Sequence, residues 1–310
     1  MARLSSVARS AAAAAAVGLA ITTPATASVS VGTDPCRALT HFNVFALRDF
    51  HLARSEVTGP LAVGGNAILR GFSVNAATPC TAAADTVPDL ALAVGGVLHA
   101  DRGQINAGAV TVGGHYYGSP SVGLRCARHV SGAFDFEGLA TEAVAHHAAL
   151  CATPVVDCKT AIGADGGVTF AVTGGSDFAT CAVAVGDLNR ASRVAITGRS
   201  ARQEVALKVY GGHHWSNKTL TLTNVAFHGF VSERTVLAAC NRVHMVVIKD
   251  VGLPSAVSAP HTDLVGPSGH IRGTVIVRSV RGGMEFRHAP VACDAAAADE
   301  VPSPSPAVEW

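Results

Sequence analysis

The sequence predicts an all-β, solenoid-like fold interrupted by one helix. Three observations predict it. First, a short apolar phrase ending in Gly-Gly recurs as LAVGGN at Leu61–Asn66, LAVGGV at Leu92–Val97 and VTVGGH at Val110–His115, with starts 31 and 18 residues apart. A strand that runs repeatedly into a double glycine is how a stacked β-repeat reads in sequence. Second, seven Gly-Gly pairs fall at or near the ends of strand-like segments. Glycine weakens a strand interior but permits positive φ, so its expected place is the turn. Third, the composition is 49% hydrophobic and 15% charged, with 32 glycines and 5% aromatics. That balance suits a close-packed β structure of small and branched side chains and excludes a disordered chain.

The N-terminus is not part of the fold. Arg3 and Arg9 precede an apolar run, Ala11–Ile21, and Ala25-Thr26-Ala27 supplies a small-x-small cleavage pattern. Residues 1–27 therefore read as a secretory signal peptide. The run is shorter than the roughly 20 apolar residues a membrane-spanning helix needs. The domain proper is expected over 28–293, and the Pro/Ser-rich 294–310 as a tail without a fold of its own.

Strand-like text fills Phe42–Val74 and resumes over Leu90–Tyr117. Around Asp135 the period changes. Phe136, Leu139, Ala140, Ala143, Val144 and His147 fall at helical spacing, with Asp135 and Glu137 at the favourable N-terminal end, so one helix is expected over about Phe134–Leu150. Strands follow at Val168–Val172, Cys181–Gly186, Val194–Ile196, Val205–Gly212, Thr219–Phe227, His244–Gly252 and Gly273–Val280.

Eight cysteines, Cys36, Cys80, Cys126, Cys151, Cys158, Cys181, Cys240 and Cys293, all follow the signal peptide. In an exported protein an even count reads as up to four disulfides, whose pairing the spacing leaves open. Zinc is the rival reading, but no pair has the two-to-four-residue spacing of a zinc site. The net charge is +1 with no basic run, which argues against a nucleic-acid partner.

Three segments resemble the choice-of-anchor A domain, an adhesive domain of secreted and surface proteins. The first is Phe42–Val74, whose turn is carried by Gly59, Ala62, Gly64, Gly65 and Asn66. The second is Phe134–Leu150, similar to the family's single helix. The third is Leu253–Val291, with Ser258-Ala259-Pro260, His261, Asp263, Gly269–Val275 and the closing Gly282–Pro290. The resemblance spans about Phe42 to Pro290. It implies a right-handed parallel β-helix with the helix packed against it, an extracellular or cell-surface location, and an adhesive or matrix-like role. It supplies no catalytic residue. The sequence departs from the family in two ways: no anchor is seen after Val291, and the eight cysteines look like an addition.

Several residues could carry chemistry. His213-His214-Trp215 suggests a metal or sugar site, but adjacent histidines in an extended chain point to opposite sides, so a polar turn is favoured. In the helix, His147 lies on the apolar stripe and His146 faces elsewhere. Thr219, Thr221 and Thr223 share one strand face, yet no second T-x-T-x-T forms the ladder that an ice or glycan binder needs. Asn217 opens an N-glycosylation sequon. Asp250 with Asp263, or Asp177 with Asp187, are the carboxylates a glycosidase would need about 5–10 Å apart. Neither a phosphate-binding glycine loop nor a G-x-S-x-G elbow occurs.

The expectation is thus a secreted or cell-surface structural, adhesive protein. It has no catalytic or metal site and no cofactor. It binds an extracellular glycan, matrix or wall component through a β-helix face, and has no membrane-spanning segment after signal removal. The alternative is a carbohydrate-active hydrolase or lyase on the same scaffold, and the third reading is a small-ligand or ice binder.

Overall fold

A computed structural model describes residues 40–80, 90–212 and 218–292. The expected signal peptide, the tail, Cys36, Cys293, His213, His214, Trp215 and Asn217 lie outside the described residues. The chain begins with β1 (Val44–Ala46), β2 (Phe50–Val57), β3 (Leu61–Val63) and β4 (Ala67–Val74). Next come β5 (Leu90–Val94), the long β6 (Leu98–Val112), β7 (Tyr116–Gly118) and β8 (Val122–His129). Helix α1 (Phe136–Ala152) precedes β9 (Cys158–Ile162), β10 (Val168–Val172) and β11 (Phe178–Ala184). The one-turn helix α2 (Val185–Leu188) leads to β12 (Arg193–Thr197), β13 (Glu204–Tyr210), β14 (Thr219–Thr223) and β15 (Ala226–His228). After a 3-10 turn at Ser232–Arg234 come β16 (Thr235–Cys240), β17 (Met245–Lys249), β18 (Gly252–Leu253) and β19 (Ala256–Gly266). The described part closes with β20 (His270–Arg272), β21 (Val275–Gly282) and β22 (Glu285–Arg287).

The pairing corrects the expected right-handed β-helix. In a solenoid each coil stacks on its neighbours in chain order. Here β21, near the C-terminal end, pairs in parallel with both β1 and β2. The strands β1, β3, β5, β6, β4, β2 and β21 close a seven-membered parallel ring, a barrel with the remaining strands attached. Two long strands make closure feasible. β6 pairs with β4 through Leu98–Ile105 and with β5 through Ala109–Val112. β21 pairs with β1 through Val275–Val277 and with β2 through Val280–Gly282. Each therefore serves two sides. Four strands, β15, β12, β10 and β9, form a separate small sheet. The β-helix scaffold assumed for both the adhesive and the enzymatic readings falls with the solenoid.

Alternation decides what each strand does with its side chains. On one wall Leu220, Val246, Leu264, Val280, Phe50, Ala67 and Leu98 stand level across seven strands and are all buried in the interior. Each fully buried large apolar side chain contributes about 1.5–3 kcal/mol. On the opposite wall the Leu-Ala-Val phrase explains itself. Leu61 and Val63 join the interior cluster, while Ala62 turns outward into a second apolar layer with Phe45, Ala93, Leu139 and Ala143.

Helix α1 covers that second wall. The outward row Lys208, Ala238, Ser258, Ile276, Phe45, Ala62 and Ala93 is buried throughout, and most of its members are small enough to admit a helix. The helix runs two residues later than expected, and Asp135 caps it by accepting the Gly138 N–H at 2.8 Å. A disulfide between Cys151 and Cys240 ties its last turn to β16. Two more disulfides, Cys80–Cys126 and Cys158–Cys181, join the segment after β4 to β8, and β9 to β11.

The first three Gly-Gly pairs are turn glycines for a reason other than positive φ, which none of them has. They lie stacked: a Cβ on Gly95 would meet the carbonyl oxygen of Gly64, and one on Gly113 would meet that of Gly95. The Gly95 and Gly113 amides donate to Val63 and Val94 of the preceding rung, both at 2.8 Å. Asp49 and Asn66 extend the column: Asp49 Oδ1 accepts from the Asn66 amide at 3.0 Å, and Asn66 Oδ1 from the Val97 amide at 2.9 Å.

Candidate functional site

One wall of the barrel, extended by the attached strands β14, β17, β19 and β7, is left without a covering element among the described residues. Its outward row runs Thr221, Val247, Val265, Arg281, His51, Ile68, His99 and Tyr117, level across eight parallel strands from β14 to β7. None of the eight is buried. Strand pairs stand about 4.8 Å apart, so the row is roughly 35 Å long.

Three adjoining depressions mark this wall. The middle one, about 580 Å³, is lined by His51, Arg54, Ile68, Arg70, Pro267 and Arg281 among others. It shares His51 and Arg281 with a second, lined by Asp49, Met245, Asp263 and Ser279. It shares Arg70 with a third, lined by His99, Asp101, Arg102, Tyr116 and Tyr117. At that end His99 and Tyr117 stack, with ring centroids 4.8 Å apart and planes 12° from parallel. Tyr117 is 56% exposed, so one face of the pair is open to a planar or apolar group.

The charges on the wall sort into paired and unpaired. Arg278 Nε donates to Asp263 Oδ1 at 2.7 Å, and its Nη2 donates to Oδ2, a two-pronged pair. Arg102 Nε sits 3.2 Å from Asp101. Arg54, Arg70 and Arg281 are exposed and belong to none of the six ion pairs among the described residues.

The residues singled out in the sequence land in scattered places. Thr219, Thr221 and Thr223 do share the outward face of β14, but opposite them stand Met245, Val247 and Lys249, so no threonine ladder propagates. Asp263 stands level with Met245, whereas Asp250 follows Lys249 at the other end of β17, about 16 Å along the strand. Asp250 accepts from Ser268 Oγ at 2.7 Å. Asp187 is paired with Arg190 at 2.8 Å beyond the end of β11, and Asp177 precedes the start of that strand. Neither candidate pair converges on a common point. His147 lies on the buried face of α1, its Nδ1 3.1 Å from Ser258 Oγ. Burial, with His261 and His146 nearby, pushes its pKa down to about 4, so it is neutral near pH 7. Among the described residues no three His, Cys, Asp or Glu side chains gather as metal ligands.

Apart from Thr221 and Asp263, the wall's own residues were missed in the sequence. Outward positions alternate in β2 (FHLARSEV) and β4 (AILRGFSV), which would have flagged His51 and Arg70 as surface groups. Their meeting with Arg281 depends on the β2–β21 pairing, which no local pattern encodes.

Residues 35–288 match the family described as Putative Ice-binding-like adhesive domain. The chain belongs to this family. The match is to an adhesive domain of the ice-binding-like kind and not specifically to the choice-of-anchor A domain. Comparison with curated proteins and with solved structures gives no match. As a member of an adhesive-domain family the protein is extracellular or at the cell surface, and the role its family gives it is adhesive. Among the described residues no helix of this adhesive domain is long and apolar enough to cross a membrane.

Proposed function

We propose that the protein is an adhesive domain that binds an extracellular glycan, matrix or wall component through its uncovered wall. The observation that carries the reading is the asymmetry of the two walls. One is lined with alanine, serine and phenylalanine and buried under α1. The other offers a row of eight unburied side chains and three joined depressions. An extended, shallow face of this kind gathers affinity from many weak contacts along a polymer. The likeness of Phe42–Val74, Phe134–Leu150 and Leu253–Val291 to the choice-of-anchor A domain supports the same reading.

The test is an array of immobilised polysaccharides and matrix proteins probed with the secreted protein and with Ile68→Glu, a change at the centre of the wall. Saturable retention on a subset, weakened in the variant, supports the proposal. Retention on nothing, or release of shortened polysaccharide, overturns it.

A further inference from the structure

We infer that the middle depression of the wall is an anion-recognition site, and that the polymer it takes is an acidic polysaccharide. The inference deepens the adhesive reading and rests on it. Arg281 and His51 stand level on the adjacent strands β21 and β2. Arg70 lies on β4, level with Ala53 and so two residues further along the same face. Arg54, next in the chain, holds a left-handed backbone conformation, φ 54°, at the bend of β2. These four groups line one depression of about 580 Å³, and no carboxylate lines it.

The concentration is local, because the whole chain carries a net charge of only +1. The acids closest along the wall are already engaged: Asp263 by Arg278, Asp101 by Arg102, and Asp49 by the Asn66 amide. Arg70 has Asp101 level with it on β6, a carboxylate already engaged by Arg102, and no carboxylate lines the depression that holds Arg54, Arg70 and Arg281, so a bound anion relieves the repulsion among the three guanidiniums. Each planar guanidinium can donate two parallel hydrogen bonds to a carboxylate. The flanking aromatic pair, His99 over Tyr117, lies across the shared Arg70. It offers a flat surface for a sugar ring, which a site built for an isolated anion would not need. Charged side chains spaced along a shallow groove beside a stacking surface fit a chain of sugars with repeating carboxylates.

The test measures retention on immobilised polygalacturonate, on neutral dextran and on double-stranded DNA. Three forms are compared: the wild type, the triple variant Arg54→Gln/Arg70→Gln/Arg281→Gln, and a charge-matched control. The control, Arg125→Gln/Arg128→Gln/Lys159→Gln, alters exposed groups away from this wall. Polygalacturonate should hold the wild type and the control alike, and the wall triple should bind about tenfold more weakly, with an affinity that falls as salt rises. Equal weakening in the control, or undiminished binding in the wall triple, overturns the site. Tighter retention on DNA than on polygalacturonate, lost in the same triple, assigns the site to nucleic acid instead. Retention on dextran but not on the polyuronate overturns this inference and leaves the adhesive reading intact. Retention on no polymer at all removes both.

Discussion

Asn43 Nδ2 donates to the carbonyl oxygen of Gly273, 230 residues away, at 2.9 Å, and its Oδ1 accepts the Gly59 amide at 3.2 Å. Asn43 is fully buried at the head of β1, and its two partners precede the strands on either side, β3 and β21. One side chain thus fastens the place where the first and last strands of the barrel ring meet. Replacing it with Leu leaves a buried N–H and a buried C=O without partners, each costing about 1–3 kcal/mol. Asn43→Leu should therefore lower unfolding free energy by about 2–4 kcal/mol in urea titration, and a change under 1 kcal/mol would show that the fastening is dispensable.

The second tie is on the covered wall. Lys208 is only 2% exposed, and its Nζ donates to the carbonyl of Thr153, the C-terminal cap of α1. An ammonium there complements both the orphan carbonyl and the negative end of the helix. Lys208→Ala should cost about 2 kcal/mol, because the charged hydrogen bond and the packing of the stem are both lost. Lys208→Met keeps the stem and avoids burying a charge, so its melting temperature should fall less. If the two variants melt together, the hydrogen bond and not the stem holds the helix.

Acid should loosen the same layer. His147 faces Ser258, the exposed His261, its neighbour His146 and the Cys151 sulfur, with no carboxylate to welcome a proton. Its folded pKa near 4 lies below the ordinary value of 6.5, so the unfolded chain binds the proton more readily. The contribution is complete above pH 6.5, declines as pH falls towards 4, and is level below that. Its size is at most about 3 kcal/mol. Comparing urea midpoints at pH 7.5 and 4.5, His147→Gln should lose less stability than the wild type. An equal loss would place the acid sensitivity elsewhere, for instance at His288 or His270, whose pKa values burial also lowers.

Gly95 tests the stacked turns. Its missing Cβ leaves room for the carbonyl of Gly64 on the rung beside it, and the backbone on both sides is hydrogen-bonded. Gly95→Ala should destabilise by about 2 kcal/mol or more, since backbone rather than a flexible side chain must move. Gly175, whose Cβ would meet nothing, should accept alanine with little change in melting temperature.

Local features were readable in advance. Most strands, the Gly-Gly turns and the helix announced by Asp135 follow from alternation, helical spacing and capping, which involve residues a few positions apart, whereas β8, β9, β16 and β19 were not expected and Thr219–Phe227 divides into β14 and β15 of two different sheets. The physical role of the glycines was not readable, because sequence shows that a turn is needed but not that another rung's carbonyl presses against it. The binding face was least readable. Arg281, His51, Ile68 and Tyr117 come from four distant segments, and each alone is an ordinary outward residue of a strand.

By itself the sequence determined where much of the chain is extended, where it turns and where it becomes helical. It also implied export, and an adhesive role through family resemblance. Only the tertiary structure decided that the strands close into a barrel instead of stacking as a solenoid. It alone decided that α1 covers one wall and leaves the other open. The reason is the range of the forces involved. Alternation and capping act within a few residues, whereas parallel pairing such as Phe45 with Ile276 joins segments some 230 residues apart, and no periodicity names the partner.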